Sequence, residues 1–388
     1  MSLGLLYVIS TVSWGGLEMN ILKLAKKMAE KGHDVNIACN YEGRLYQEIK
    51  RSQDENGKQI NIIELGSGFW GNFKKLYDVL KRRNFDVVHI FRSSDVKLVS
   101  LVGFWLKRNI NAIFEPQIGI GSNKKDLFHQ FIYKRIKFVI APSRDVANGF
   151  LKNLPVGKEK VKIIHLGIDV DKFSFRESAR EKIRREFNFK DEIVIGVVSR
   201  FSPGKGHEDL FKAFKILSDE FENVRLLIVG EPTVGELNYA KRLQELEKEL
   251  NIEDKTIWAG FRRDVNDILC GVDIFVAPSH AEAFGLSLVE AMATELPVVA
   301  TKSAGFLDII SDGENGLFFE RENYQDLAEK VKFLINNQEF AKQLGKKARE
   351  TAVEKFSFEK YISEIENLYF NLTRAKQTEV SDVQYCKS

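Results

Sequence analysis

Short apolar runs rich in Val and Ile recur along the chain, separated by stretches in which apolar side chains return every three or four positions. In the first half the runs are Leu5–Ser10, Asp34–Cys39, Ile60–Leu65, Asp86–Phe91, Asn111–Gln117, Phe138–Ser143 and Val161–Leu166. Runs of this kind read as strands buried on both faces. Between them lie helical patterns such as Leu17–Lys31, where Leu17, Ile21, Leu24, Ala25 and Met28 share one face. The pattern pauses over the polar, irregular Gly167–Phe175. It restarts with strands at Ile193–Ser199, Val224–Val229, Thr256–Ala259, Asp273–Pro278, Pro297–Thr301 and Leu317–Phe319. Helices fit at His207–Ser218, Gly235–Leu250, Gly285–Thr294 and Tyr324–Asn336, and from Glu339 to about Thr373 the pattern is wholly helical. Alternating strand and helix means right-handed crossovers and parallel sheets covered on both faces. The expectation is an α/β protein of two Rossmann-like doubly wound domains, residues 1–168 and 169–356, with C-terminal helices of which about 357–373 rejoins the first domain. A mobile polar tail is expected at 374–388. Ligands of open parallel sheets bind beyond the carboxyl ends of the strands, so two such domains facing a central cleft would hold their site there.

A length of 388 residues suits two domains, and 44% hydrophobic with 29% charged residues excludes a disordered, collagenous or coiled-coil chain. No apolar run reaches the roughly 18–20 residues of a bilayer span. No tripartite signal peptide precedes Leu5–Ser10. Cys39, Cys270 and Cys386 lie too far apart for a local metal motif, and a disulfide framework would need more of them. A reducing cytosol is the expected home. The net charge of +3 conceals a split. Residues 1–168 hold 27 basic and 15 acidic side chains, a net of +12, whereas 169–388 hold 31 and 40, a net of −9. Such asymmetry points to a ligand or surface specific to one domain, or to no more than lysine-rich solvated helices.

Three loops carry candidate chemistry. In Pro278–Thr301 a strand ends at Pro278 and a helix begins near Gly285, with Glu282 in the loop and Glu290 eight positions further on. The exposed amides of a helix start attract an anion, and Gly285 lets backbone approach a phosphate. Glu282 and Glu290 could accept hydrogen bonds from sugar hydroxyls on either side of a diphosphate. The alternatives are a helix-dipole partner for Glu282 and a solvated face for Glu290, the latter at odds with its apolar neighbours Val289 and Ala291. In the second loop, Arg200 to His207, two cations and a helix N-terminus converge through a Pro-Gly turn, without the spacing of a P-loop. In the third, Gly15 and Gly16 precede a helix, which suits close backbone approach or simply a tight turn. Gly119-x-Gly121-x-x-Lys124, after the fifth strand, is a weak match with no acidic residue at the distance a dinucleotide fold needs.

Together these residues resemble the retaining glycosyltransferases of family 4, which have the GT-B fold. The matching pieces are Gly15 to Glu18, Leu166 to Phe173, Arg200 to Gly206, Gly260-Phe261 with Asp264-Val265, Asp273 to Ser279, Glu282 to Glu290, and Asp312 to Leu317, in order over nearly the whole chain. The resemblance implies that Arg200 and Lys205 neutralise the donor diphosphate as it departs, that Glu282 contacts the transferred sugar and that Glu290 holds the ribose. It implies a phosphate cradle of the amides of Phe284, Gly285, Leu286 and Gly16, beside Gly15, with Phe261 and Arg262 flanking the base. The co-substrate is then a nucleotide-sugar, a UDP-sugar by preference, with no other cofactor and no metal. His89 and Gln117 resemble positions on the acceptor or sugar side, Gln117 standing where many members have a histidine, and His89, ending the fourth strand, reads equally as a satisfied core or strand-end histidine. Ala304 to Asp308 departs from the usual donor-side Gly-Gly-x-Pro-Glu, and Glu295 from a frequent Gly.

The basic excess of the first half gathers in Phe69–Phe85, Phe104–Arg108 and Lys124–Lys137, interleaved with Phe69, Trp70, Phe73, Tyr77, Phe104, Trp105, Phe128, Phe131 and Tyr133. Lys and Arg among aromatics suit an anionic membrane face, unless the aromatics are core. No nucleic-acid module is recognisable. The expected activity is transfer of a sugar to a cell-envelope glycan or glycolipid, in the cytoplasm or peripherally at the inner face of the membrane. The competing readings are a phosphorylase- or synthase-like enzyme acting on a soluble sugar and a non-catalytic nucleotide-sugar-binding subunit.

Overall fold

Every apolar run read as a strand forms one, and the strands sort into two parallel sheets. The computed structural model describes residues 1–56, 60–232 and 235–385, with 53–56 and 375–385 by backbone alone. One compact unit comprises Met1–His165 together with the chain from Tyr361, and the other Leu166–Lys360.

The first unit is built from β1 (Gly4–Ile9), α1 (Gly16–Glu30), β2 (Asp34–Asn40), α2 (Arg44–Asn56), β3 (Ile60–Leu65), α3 (Phe69–Arg82), β4 (Val87–Ile90), α4 (Ser93–Trp105), β5 (Ala112–Phe114), α5 (Leu127–Tyr133), β6 (Ile136–Ala141), α6 (Arg144–Asn153) and β7 (Val161–Ile163). Its strand order is β3-β2-β1-β4-β5-β6-β7, so the direction of winding reverses between β1 and β4. Leu5 to Ile9 are buried on both faces of the sheet, which is why β1 reads as an unbroken apolar run. α1 buries Ile21, Leu24, Ala25 and Met28, each such large side chain contributing about 1.5–3 kcal/mol. It stops where Gly32, at φ 86°, supplies the left-handed turn that lets His33 N–H reach the Met28 carbonyl at 3.1 Å. β5 is shorter than its apolar run predicts. Pro116 has no N–H to donate, and Gln117 turns the chain away at φ 55°.

The second unit holds α7 (Glu177–Glu186), β8 (Ile193–Val198), α8 (His207–Glu220), β9 (Val224–Val229), α9 (Leu237–Glu249), β10 (Thr256–Gly260), α10 (Val265–Gly271), β11 (Ile274–Ala277), α11 (Leu286–Ala293), β12 (Val298–Thr301), β13 (Leu317–Phe319), α12 (Tyr324–Asn336) and α13 (Gln338–Phe356). Its sheet runs β10-β9-β8-β11-β12-β13, with the reversal between β8 and β11. Leu166 to Ile168 belong to this unit because Ile168 exchanges backbone hydrogen bonds with Phe356 and Phe358. Only glycine fits at 167, where a Cβ would lie 2.5 Å from the Ser357 carbonyl oxygen.

The last helix, α14 (Phe358–Tyr385), starts in the second unit and belongs to the first from Tyr361. It continues beyond Thr373, so the segment from Arg374 that was expected to be a mobile tail is helix as far as Tyr385. Cys386, with Lys387 and Ser388, lies outside the described residues. Cys39 and Cys270 are buried free thiols, and burial pushes the Cys39 thiol up to about 12. No described helix is long and apolar enough to cross a membrane.

Candidate functional site

In the second unit the loops that follow β8 and β11 meet where the winding reverses, the place where open parallel sheets leave a crevice for ligands. The β8 loop turns at Gly204 (φ 82°) and Gly206 (φ 74°), and Gly206 caps α8. A Cβ on Gly206 would lie 1.9 Å from the Pro278 carbonyl oxygen, so the glycine lets this turn pack against the other loop. His280 N–H donates to the Gly204 carbonyl at 2.8 Å and joins the loops at the backbone. Lys205 Nζ then donates to Glu282 Oε2 at 2.7 Å, both side chains being partly buried. Behind them Gly285, at φ 111°, caps α11, and the Glu282 carbonyl accepts from Gly305 N–H at 3.0 Å. Phe284 is buried, Leu286 opens α11, and Glu290 lies just over one turn into that helix and half-buried. Arg200 is exposed with no carboxylate partner among the described residues.

Arg200, Lys205, Glu282 and the start of α11 thus lie at one sheet edge. Phe261 is exposed at the end of β10, free to face a flat ligand. Arg262 is committed elsewhere. It donates Nε and Nη2 to Asp264 at 2.8 Å and both terminal nitrogens to Glu186, and these partners raise its pKa. Its expected place beside a base is open only to its backbone. Sequence reasoning missed the His280–Asp209 contact of 2.6 Å between Nε2 and Oδ2, which ties the β11 loop to the first turn of α8. A histidine two residues before Glu282 was the available signal.

In the first unit Gly15 caps α1 in extended backbone, and a Cβ on Gly16 would meet nothing within 4 Å. His89 has no exposed surface. Its Nδ1 lies 2.7 Å from Tyr369 Oη and its Nε2 3.1 Å from Glu115 Oε2, with Phe91 stacked on its ring. Instead of facing an acceptor it is a core residue that can act only through neighbours. Glu115 Oε1 accepts from Tyr361 Oη at 2.9 Å and from Gln117 Nε2 at 3.0 Å, and Gln117 Oε1 accepts from Asn20 at 3.3 Å. A buried polar chain therefore runs from α14 to Gln117 at the carboxyl end of β5.

Sequence models of two families match in tandem: Glycosyltransferase Family 4 over residues 14–172 and Glycosyl transferases group 1 over residues 179–351. The chain belongs to the group 1 glycosyltransferases. N-acetyl-alpha-D-glucosaminyl L-malate synthase of Bacillus anthracis is 24% identical to this glycosyltransferase, the alignment covering 93% of this chain and 95% of that one. A glycosyltransferase from Rickettsia africae superposes with TM-score 0.86 at 24% identity, covering 96% of this chain and 98% of the other. Anabaena HepE, solved in complex with UDP-glucose, does so with TM-score 0.82 at 20% identity, covering 95% and 100%. The fold is GT-B.

This glycosyltransferase places a further histidine under the loops that follow β8 and β11. His207, the first residue of α8, is fully buried with Nε2 3.0 Å from Ser199 Oγ, and burial holds its pKa down to about 4. The folded ring is neutral at pH 7, whereas the unfolded ring takes a proton near pH 6.5. Its contribution to stability is therefore complete above about pH 6.5 and falls as pH drops toward 4, reaching a loss of about 2 kcal/mol by pH 5. Urea midpoints measured at pH 7 and pH 5 should fall accordingly, and His207→Gln should flatten the difference.

Proposed function

We propose that this glycosyltransferase moves a sugar from a UDP-sugar to a cell-envelope glycan or glycolipid with retention of anomeric configuration, the second unit binding the donor and the first the acceptor. The observation that carries the reading is the Lys205–Glu282 ion pair, set beside the Gly285-capped start of α11 and the unpaired Arg200. Two cations and a helix N-terminus at one edge can balance the charge that grows on a departing diphosphate, the work a metal ion would otherwise do. Transfer is accordingly metal-independent. Glu282 can exchange Lys205 for a sugar hydroxyl once the diphosphate claims the ammonium.

For the acceptor side, the first unit exposes Trp70, Phe104, Trp105, Leu127 and Phe128 among its lysines and arginines. Arg135 lies over the rings of Phe104 and Phe131. These aromatics are at the surface and suit contact with an anionic bilayer. A second reading, a synthase acting on a soluble acceptor, draws support from the full-length relative named for an L-malate product.

Saturation-transfer NMR with UDP-, GDP- and ADP-sugars should show contact for the UDP-sugar, and hydrolysis of the donor should persist in EDTA. Binding of none of the three would sink the donor assignment. Sedimentation with vesicles containing phosphatidylglycerol separates the acceptor readings, since the soluble-acceptor enzyme stays in the supernatant.

A further inference from the structure

We propose that the first unit carries a binding site for a phosphate group of the acceptor, at the amino end of α4. That a phosphate binds there does not depend on the glycosyl-transfer reading; that it belongs to the acceptor does.

α4 follows β4, one of the two strands between which the winding of the first sheet reverses, so its N-terminus faces the crevice expected of such a sheet. No side chain caps it: Arg92 holds the cap position without a side-chain bond. Ser93 and Ser94, which open the helix, border a cavity of ≈ 230 Å³ whose other walls include Lys97, Lys124 and Tyr133, and the Ser94 hydroxyl donates to Asp95 Oδ1 at 3.4 Å. The one acidic side chain in the first turn of α4, Asp95, turns away and accepts from Ser10 N–H at 3.0 Å and Ser10 Oγ at 2.5 Å. Neither Lys97 nor Lys124 has a carboxylate partner among the described residues. Lys97 Nζ lies over the rings of Phe69 and Phe128, at 5.0 and 5.5 Å. Lys124 is half-buried, and desolvation lowers its pKa.

The second, independent sign is Tyr133. It is 2% exposed and lines the cavity, and among the described residues its hydroxyl makes no hydrogen bond of good geometry, the Ser93 hydroxyl beside it being its one weak contact. Buried hydroxyls rarely stay unpaired, because the lost hydration is not recovered. A weakly bonded hydroxyl in a cavity also walled by a helix N-terminus and by two lysines without a carboxylate partner among the described residues is matched by an oxyanion with several acceptor oxygens. His129 also borders the cavity, but its Nδ1 is engaged by Asp126, which caps α5. The Gly119-x-Gly121-x-x-Lys124 segment, too weak a motif to read alone, thus delivers its lysine to a helix N-terminus that is not its own. Exposed Leu127 and Phe128 beside the cavity leave two sources for the phosphate, a lipid and a soluble sugar phosphate.

The test is ³¹P NMR titration of the full-length protein with inorganic phosphate, without and with saturating UDP. The Lys97→Ala/Lys124→Ala double variant should bind phosphate about tenfold or more weakly than wild type, whereas Arg200→Ala/Lys205→Ala retains the UDP-insensitive binding. Tyr133→Phe should weaken phosphate binding several-fold while melting at the same or a higher temperature. Displacement of the phosphate by glucose 6-phosphate supports a soluble acceptor, and displacement by dihexanoyl phosphatidic acid a lipid-borne one. Displacement by neither, phosphate binding abolished only by Arg200→Ala/Lys205→Ala, or a destabilised Tyr133→Phe overturns the proposal. Failure of UDP to bind would refute the donor assignment and leave this mapping intact.

Discussion

Lys205→Ala is expected to lower kcat by about two to three orders of magnitude, the usual effect of removing one preorganised group from a site of developing negative charge. The lysine sits 2.7 Å from Glu282 and emerges from a turn whose two left-handed glycines fix its direction. In the proposed transfer a diphosphate leaving group gains charge as the glycosidic bond breaks, so the ammonium would bind the transition state more tightly than the donor. The affinity for UDP should fall as well, by about tenfold, as expected for a lost charge-assisted hydrogen bond. Arg200→Ala should act in the same direction, and the double variant should fall short of the product of the two losses because in the proposed transfer both cations serve one leaving group. Initial rates with the UDP-sugar and calorimetry with UDP separate the two effects. A variant that binds UDP tenfold more weakly at unchanged kcat would reduce Lys205 to a donor anchor.

Most of the fold could be read from periodicity because the central strands, such as β1, β4, β11 and β12, are buried on both faces and the helices chiefly on one. Val224–Val229 is predicted and observed to the residue for that reason. Where the reading slipped, a local rule competed with the apolar run. Asn111–Gln117 looked like one strand, yet Pro116 ends the ladder after Phe114. The helical pattern beyond Thr373 went unrecognised because its polar composition resembles a tail. The loops after β8 and β11 were legible because glycine, Lys205 and Glu282 each carry a constraint visible in one dimension. Partner choice was not. Whether Arg262 is free or bound twice over by Asp264 and Glu186 depends on a residue 76 positions away. Whether His89 faces a ligand or the core depends on Tyr369, 280 positions away. Interleaved aromatics and lysines likewise could not reveal which rings stay exposed or which hydroxyl stays weakly bonded.

Glu115→Ala is expected to be the most destabilising single change in the first unit, at about 3–5 kcal/mol, the range seen when one partner of a buried ionisable pair is removed. Glu115 is 1% exposed, and its Oε1 is the acceptor on which Tyr361 and Gln117 converge, while Oε2 lies 3.1 Å from His89 Nε2 without a hydrogen bond between them. Its loss leaves the Tyr361 hydroxyl and the Gln117 amide without this acceptor and His89 Nε2 facing a void. Because Tyr361 and Tyr369 are the residues by which α14 enters this network, the damage should spread to that helix. Thermal unfolding should begin roughly 10 °C lower, given about 2–4 °C per kcal/mol for a unit of this size. Hydrogen exchange should quicken along residues 361–372 before it does in the second sheet. Glu115→Gln keeps an acceptor oxygen of the same shape and separates charge from hydrogen bonding. A cost for glutamine near that of alanine would assign the stability to the carboxylate charge, and recovery of most of the loss would assign it to the hydrogen bonds from Tyr361 and Gln117. An alanine variant that melts like wild type would mean that the chain from α14 to Gln117 contributes no stability, and that the turn at Gln117 is held by the backbone alone.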